Sequence, residues 1–102
     1  AGRGMVTYTM WEYTVDTAAC RVMRGDEEMH LTRKEYELLL LFLRNRGSAL
    51  YRDYLYETIW GDDEVGDTTR TLDTHITRLR RKLNLGDRLH SVRQVGYMLE
   101  KE

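Results

Sequence analysis

Thr69–Leu83, TRTLDTHITRLRRKL, carries two chemistries on what reads as one helix. At about 100° per residue, Leu72, Ile76, Leu79 and Leu83 line up in one narrow stripe. Arg70, Thr74, Thr77, Arg78 and Arg81 gather on the opposite side, and His75 and Arg80 stand on the flanks between. The stripe needs a protein core. The far face offers guanidiniums and short hydroxyls, the groups that pair with phosphates and with base edges in a major groove. A solvated charged face on an ordinary core helix has the same pattern, so the flanking sequence must decide between them.

Upstream, Thr32 and Glu35 have the spacing of a capping box, with Leu31 placed to staple onto Tyr36. This predicts a helix running to about Arg46 and stopping at Gly47. Leu38–Leu43 is apolar nearly all round, so this helix should be sandwiched at the centre of the core. Ser48–Tyr51 reads as a short extended link. Arg52–Trp60 reads as a second helix, with Leu55 and Ile59 one turn apart and Gly61 as its stop. The segment GDDEVGD, Gly61–Asp67, holds four acids and two glycines and can only be an exposed loop.

Downstream of the basic helix, Leu85-Gly86-Asp87 is a turn signal. Arg88–Gln94 and Gly96–Glu100 then alternate apolar and polar residues as a closing hairpin. At the other end, Val6–Met10, Trp11–Val15, Cys20–Met23 and Glu28–Leu31 are four short strand candidates, with turns at Asp16–Ala18 and Gly25-Asp26. The expected fold is therefore α+β. It is a winged helix-turn-helix with an N-terminal four-stranded antiparallel sheet, three helices and a C-terminal β-hairpin wing. In that architecture the second helix of the pair enters the major groove.

The 102 residues make one domain, 5–102, and Ala1–Gly4 (AGRG) is expected to be an expression scar or linker remnant. A hydrophobic fraction of 41% beside 32% charged residues is globular. The longest apolar run, Leu38–Leu43, is far too short to cross a membrane. A single cysteine, Cys20, excludes an internal disulfide and suits the reducing cytoplasm. Charge is uneven. Thr69–Arg93 holds seven Lys/Arg against Asp73 and Asp87, a local balance of +5 that leaves −6 for the rest of a chain whose net charge is −1. Such a domain approaches nucleic acid in one orientation and repels it in others.

Enzyme chemistries find no residues here. The only serines, Ser48 and Ser91, lie outside any nucleophile elbow. Cys20, His30, His75 and His90 lack metal-ligand spacing, and no glycine loop could cradle a phosphate. Neither a metal nor a cofactor is expected.

Four segments in register closely resemble the DNA-binding effector domain of the OmpR/PhoB family of two-component response regulators. They are LTRKEYELLLLFLRNRGSAL, YLYETIWG, DTTRTLDTHITRLRRKL and HSVRQVGYMLE, with YTVD, CRVM and EMHLT matching more loosely in the N-terminal sheet. The resemblance implies a transcription factor domain on promoter double-stranded DNA, bound head to tail on direct repeats and monomeric in isolation. It also implies a preceding receiver domain, phosphorylated by a histidine kinase. By matched position, Arg78 is aimed at bases, with Asp73 and Thr74 near the same groove floor. Arg70, His75, Thr77 and Arg80 match phosphate-contacting positions, and Arg81 belongs to the same DNA-facing side. Arg93 matches a wing-tip arginine that enters the minor groove, with Ser91 and Tyr97 at backbone-contacting wing positions. Trp60 matches a tryptophan near the phosphates. The loop residues Asp62, Asp63, Glu64 and Asp67 match a segment that faces RNA polymerase in activators.

Several residues keep a plainer reading. Asp73 can accept from cytosine or pair with Arg70 or Thr77, His75 can meet a phosphate or pack beside the core, and Trp60 can be core. Three positions depart from the family pattern. Gln94 stands where glycine is common, Tyr51 where Ser or Thr usually caps the second helix, and Thr77 where arginine is frequent. The competing function is a winged-helix protein-interaction module without DNA binding, using the acidic loop and the Tyr-rich second helix. Single-strand binding is disfavoured, because no sheet of exposed aromatics at stacking spacing is evident.

Overall fold

A computed structural model describes residues 7–61 and 68–102, with the side chains of 68–70 outside the described part. Four short strands, β1 (Thr7–Met10), β2 (Tyr13–Asp16), β3 (Arg21–Arg24) and β4 (Glu27–Met29), form an antiparallel meander in chain order. Helices α1 (Arg33–Arg44), α2 (Arg52–Trp60) and α3 (Thr68–Lys82) follow, with the two-residue strand β5 (Leu50–Tyr51) between the first two. The hairpin β6 (Leu89–Val92) and β7 (Gly96–Leu99) closes the chain, and β7 lies between β6 and β5 in a second, three-stranded sheet.

The cap at the start of α1 forms as its spacing predicts. Glu35 N–H donates to Thr32 Oγ1 at 3.3 Å and Thr32 N–H to Glu35 Oε1 at 2.9 Å. The helix ends at Arg44, two residues before the expected Arg46. Asn45 leaves the helical conformation there, while its side-chain amide donates to Leu41 O at 2.8 Å and its N–H to Phe42 O at 3.1 Å. A polar side chain that satisfies the orphan carbonyls ends the helix before glycine is reached.

Leu38, Leu39, Phe42 and Leu43 of α1 are buried from several sides. Met10, Tyr13, Val15 and Val22 come from the first sheet, and Leu55, Ile59 and Trp60 come from α2. From α3 and the residue that follows it comes the stripe Leu72, Ile76, Leu79 and Leu83, every member at most 1% exposed. Burying these four branched side chains contributes about 1.5–3 kcal/mol each before entropy is counted, which is why the orientation of α3 is not free. Tyr13 OH donates to Leu83 O at 2.7 Å, so a phenol from β2 closes the C-terminal end of α3.

The extended link at Ser48–Tyr51 is in part a strand. Leu50 pairs with Tyr97 and Tyr51 with Gly96, which makes the wing one edge of a sheet rather than a lone hairpin. Gly96 permits this closeness, because a Cβ there would sit 2.1 Å from Leu50 O. At the start of the chain, Trp11 belongs to the β1–β2 turn with φ of 51° instead of continuing β2. Its ring is in cation–π contact with two guanidiniums, Arg46 at 4.8 Å and Arg88 at 4.6 Å.

Candidate nucleic-acid interface

Helix α3 begins and ends one residue earlier than the expected 69–83, and Leu83 N–H still donates to Leu79 O at 3.1 Å. With the leucine and isoleucine stripe turned into the core, Thr77, Arg78 and Arg81 are exposed on the opposite face. Asp73, Thr74, Thr77, Arg78 and Arg81 line an open depression of about 300 Å³ along the helix. Thr74, Thr77, Arg78 and Arg81, four of the five residues spaced for one face, thus share one polar surface with Asp73. Arg70 and the loop acids Asp62, Asp63, Glu64 and Asp67 lie outside the described residues.

Two flank residues are tied to the protein. His75 packs edge-on against Trp60 with centroids 4.9 Å apart, and Trp60 stacks in turn on Tyr56 at 5.4 Å. His75 Nδ1 lies 2.8 Å from Thr71 O. A carbonyl only accepts, so Nδ1 carries the proton, and Nε2 can donate to an anion only in the imidazolium form. Arg80 Nε donates to Leu89 O at 2.8 Å, fastening α3 to the start of the wing. Trp60 is 4% exposed, a core residue, with Lys34 Nζ 5.8 Å from its ring centroid.

Among the described residues Asp73 pairs with Arg52 and Tyr97 rather than with Thr77, and the Arg70 side chain lies outside the described residues. Asp73 Oδ1 lies 2.8 Å from Arg52 Nη1 and accepts the Tyr97 hydroxyl at 2.5 Å. Burial by itself would raise the Asp73 carboxyl, but the hydrogen bonds from Arg52 and Tyr97 outweigh it and hold it below the usual carboxylate range. Tyr97 is pushed up, first by burial and then by its bond to Asp73. At 7% exposure, Tyr97 lies mostly inside the wing rather than on it. Periodicity on one helix could not have found Arg52, because it comes from another helix 21 positions away.

The wing turn is Arg93-Gln94-Val95. Val95 N–H donates to Val92 O at 3.0 Å, so the turn closes, and Gln94 takes the left-handed conformation, φ 64°, that glycine would adopt without strain. Arg93 is exposed at this tip, as is Ser91 on β6. Tyr51 caps α2 without a side-chain hydrogen bond, and the Arg52 N–H beyond it donates to Val95 O at 3.1 Å. Tyr51 and Tyr54 are exposed.

The family model described as "Transcriptional regulatory protein, C terminal" matches residues 26–99. The transcriptional regulatory protein VxrB of Vibrio cholerae is 40% identical over 87 residues, covering 85% of this chain and 35% of that protein. The chain spans about a third of the length of the curated relatives it matches. Among solved structures, the response regulator DrrB of Thermotoga maritima, an OmpR/PhoB homologue, superposes with a TM-score of 0.80 at 28% identity. The match covers 93% of this chain and 44% of that one. The Klebsiella pneumoniae RstA DNA-binding domain, solved in complex with the RstA box, gives 0.77 at 28% identity, covering 92% of this chain and 96% of that one.

Proposed function

The chain belongs to the transcriptional regulatory protein C-terminal family, as a DNA-binding domain of the OmpR/PhoB response regulators, and from that premise we propose how it engages DNA. Helix α3 lies in the major groove of promoter DNA. Arg78 reads a base edge, Thr74 and Asp73 border the groove floor, and Arg70, His75, Thr77, Arg80 and Arg81 grip phosphates. Arg93 enters the minor groove from the wing, with Ser91 and Tyr97 near the sugar-phosphate backbone. One observation carries this reading. The exposed face Thr77, Arg78 and Arg81 lies opposite a fully buried stripe, beside a hairpin with an arginine at its tip.

In the same reading, two copies bind head to tail on direct repeats about one helical turn apart. The isolated domain is a monomer, and a receiver domain phosphorylated by a histidine kinase precedes it. The acids Asp62, Asp63, Glu64 and Asp67 face RNA polymerase, and the protein works in the cytoplasm. No described helix is long and apolar enough to cross a membrane. The exposed Tyr51 and Tyr54 favour a second reading, a protein-interaction module without DNA binding.

Anisotropy titrations against a random duplex at two salt concentrations separate the two. DNA engagement gives an affinity that falls steeply as salt rises, through counterion release. Absence of any duplex affinity at low salt would leave only the interaction module.

A further inference from the structure

Arg52 is bonded to both elements that the proposed reading sends into DNA. Its backbone N–H holds Val95 O in the wing turn at 3.1 Å. Its guanidinium holds Asp73 on α3 at 2.8 Å and lies 5.7 Å from the centroid of the Tyr97 ring. Tyr97, on β7, donates its hydroxyl to the same Asp73 oxygen. Two elements distant in sequence, α2 and β7, therefore converge on one carboxylate oxygen of α3. It sits one turn before Thr77, on the rim of the depression that Arg78 and Arg81 share.

We propose that Arg52 and Asp73 are positioning residues for DNA recognition. Their ion pair, closed by Tyr97, fixes the wing against α3 so that Arg78 and Arg93 reach their grooves together. Asp73 acts through Arg52 and Tyr97, without taking up a base. This rests on the DNA reading above.

Two physical reasons support it. Strand pairing joins the wing to the rest of the molecule over only two residues, Leu50 to Tyr97 and Tyr51 to Gly96, beside the Arg80 bond to Leu89 O and the Gly47 N–H bond to Leu99 O. Short pairings of this kind hold a hairpin's orientation weakly, so side-chain bonds add to what the buried Leu89 and Leu99 set. The second reason is charge. A bare carboxylate among Thr74, Arg78 and Arg81 would repel phosphates, and the Arg52 guanidinium neutralises it in place.

A double-mutant cycle tests this on a duplex obtained by in-vitro selection, comparing the unaltered domain with Asp73→Asn, Arg93→Ala and the pair. If the clamp delivers the wing, Arg93→Ala weakens binding about tenfold in the unaltered domain but less than about twofold beside Asp73→Asn. Hydroxyl-radical protection in the minor groove disappears in Asp73→Asn, while methylation interference in the major groove persists. Arg52→Lys, which keeps the charge, recovers part of the affinity that Arg52→Met loses.

Equal Arg93→Ala effects in both backgrounds overturn the proposal. So does a change of base preference at one position in Asp73→Asn, because that makes Asp73 a reader. Should Asp73→Asn melt below the assay temperature, Tyr97→Phe takes its place in the cycle. Loss of all salt-dependent duplex binding in the unaltered domain refutes the DNA reading itself, whereas additivity in a domain that binds refutes only the clamp.

Discussion

Lys82 Nζ donates to Glu35 Oε1 at 2.7 Å, and that oxygen also accepts the Thr32 N–H that closes the capping box of α1. One carboxylate, in a residue with no solvent exposure, therefore ends the first turn of α1 and anchors the last turn of α3. Breaking it acts on both helices. Glu35→Ala is expected to destabilise the domain by about 2–3 kcal/mol, from the lost cap and the orphaned groups around it. Glu35→Gln keeps a cap acceptor and should cost about half as much. Urea unfolding midpoints decide, and equal losses for the two variants would mean that the cap contributes nothing.

Acid should unfold the domain through two named carboxyls. Burial would raise Glu35, but the bonds from Lys82 and Thr32 win and lower it, and Asp73 is lowered through Arg52 and Tyr97. A carboxyl lowered in the folded state stabilises above its unfolded pKa, and that contribution is lost as pH falls through the folded value. Stability should thus be flat from neutrality to about pH 5 and fall below about pH 4. The double variant Glu35→Gln/Asp73→Asn should show a shallower fall in thermal melts across the same range.

Arg78 and Arg80 should separate by kind of loss. Arg78, exposed on the outer face of α3, is expected to lose about 1–3 kcal/mol of affinity on the selected site when changed to Ala, with relaxed preference at one position. Arg80→Ala should weaken binding to every sequence and lower the salt slope by about one. Because Arg80 also bonds Leu89 O, the same change should cost about 1 kcal/mol of stability. Anisotropy over a salt series and a urea titration read the two effects apart. An Arg78→Ala domain with unaltered affinity would count against the base-reading role.

The wing turn offers a stabilising change. Gln94→Gly relieves a left-handed conformation that costs a side chain about 1 kcal/mol, and should raise the melting temperature by about 4–8 °C. Gly96→Ala should do the reverse by more than about 2 kcal/mol, since its Cβ would overlap Leu50 O. Thermal melts of both variants check the pair, and a neutral Gly96→Ala would mean that β5 can move aside.

Local signals were legible and distant ones were not. The capping box at Thr32, the stop at Gly61 and the stripe on α3 each depend on residues within a few positions of one another, so spacing alone exposes them. The strand β5 escaped because two residues have no periodicity; only their pairing with β7 makes them a strand. The partner of Asp73 escaped for a related reason. Spacing on its own helix points to Arg70 and Thr77, whereas Arg52 reaches it because α2 packs against α3. Gln94 stands where glycine is common in the family pattern, and its positive φ is the physical form of that departure.

The bond from Tyr13 to Leu83 O bears on where this domain begins as a folding unit. The family match starts at residue 26, after β3, yet the residue that closes the end of α3 lies thirteen positions before it. Met10, Tyr13, Val15 and Val22, each at most 2% exposed, come from the same unmatched stretch. A fragment trimmed to the matched boundaries would retain α3 and the wing while removing one wall of their shared core. The segment matched by the family model and the segment that packs as one core are therefore different lengths of chain.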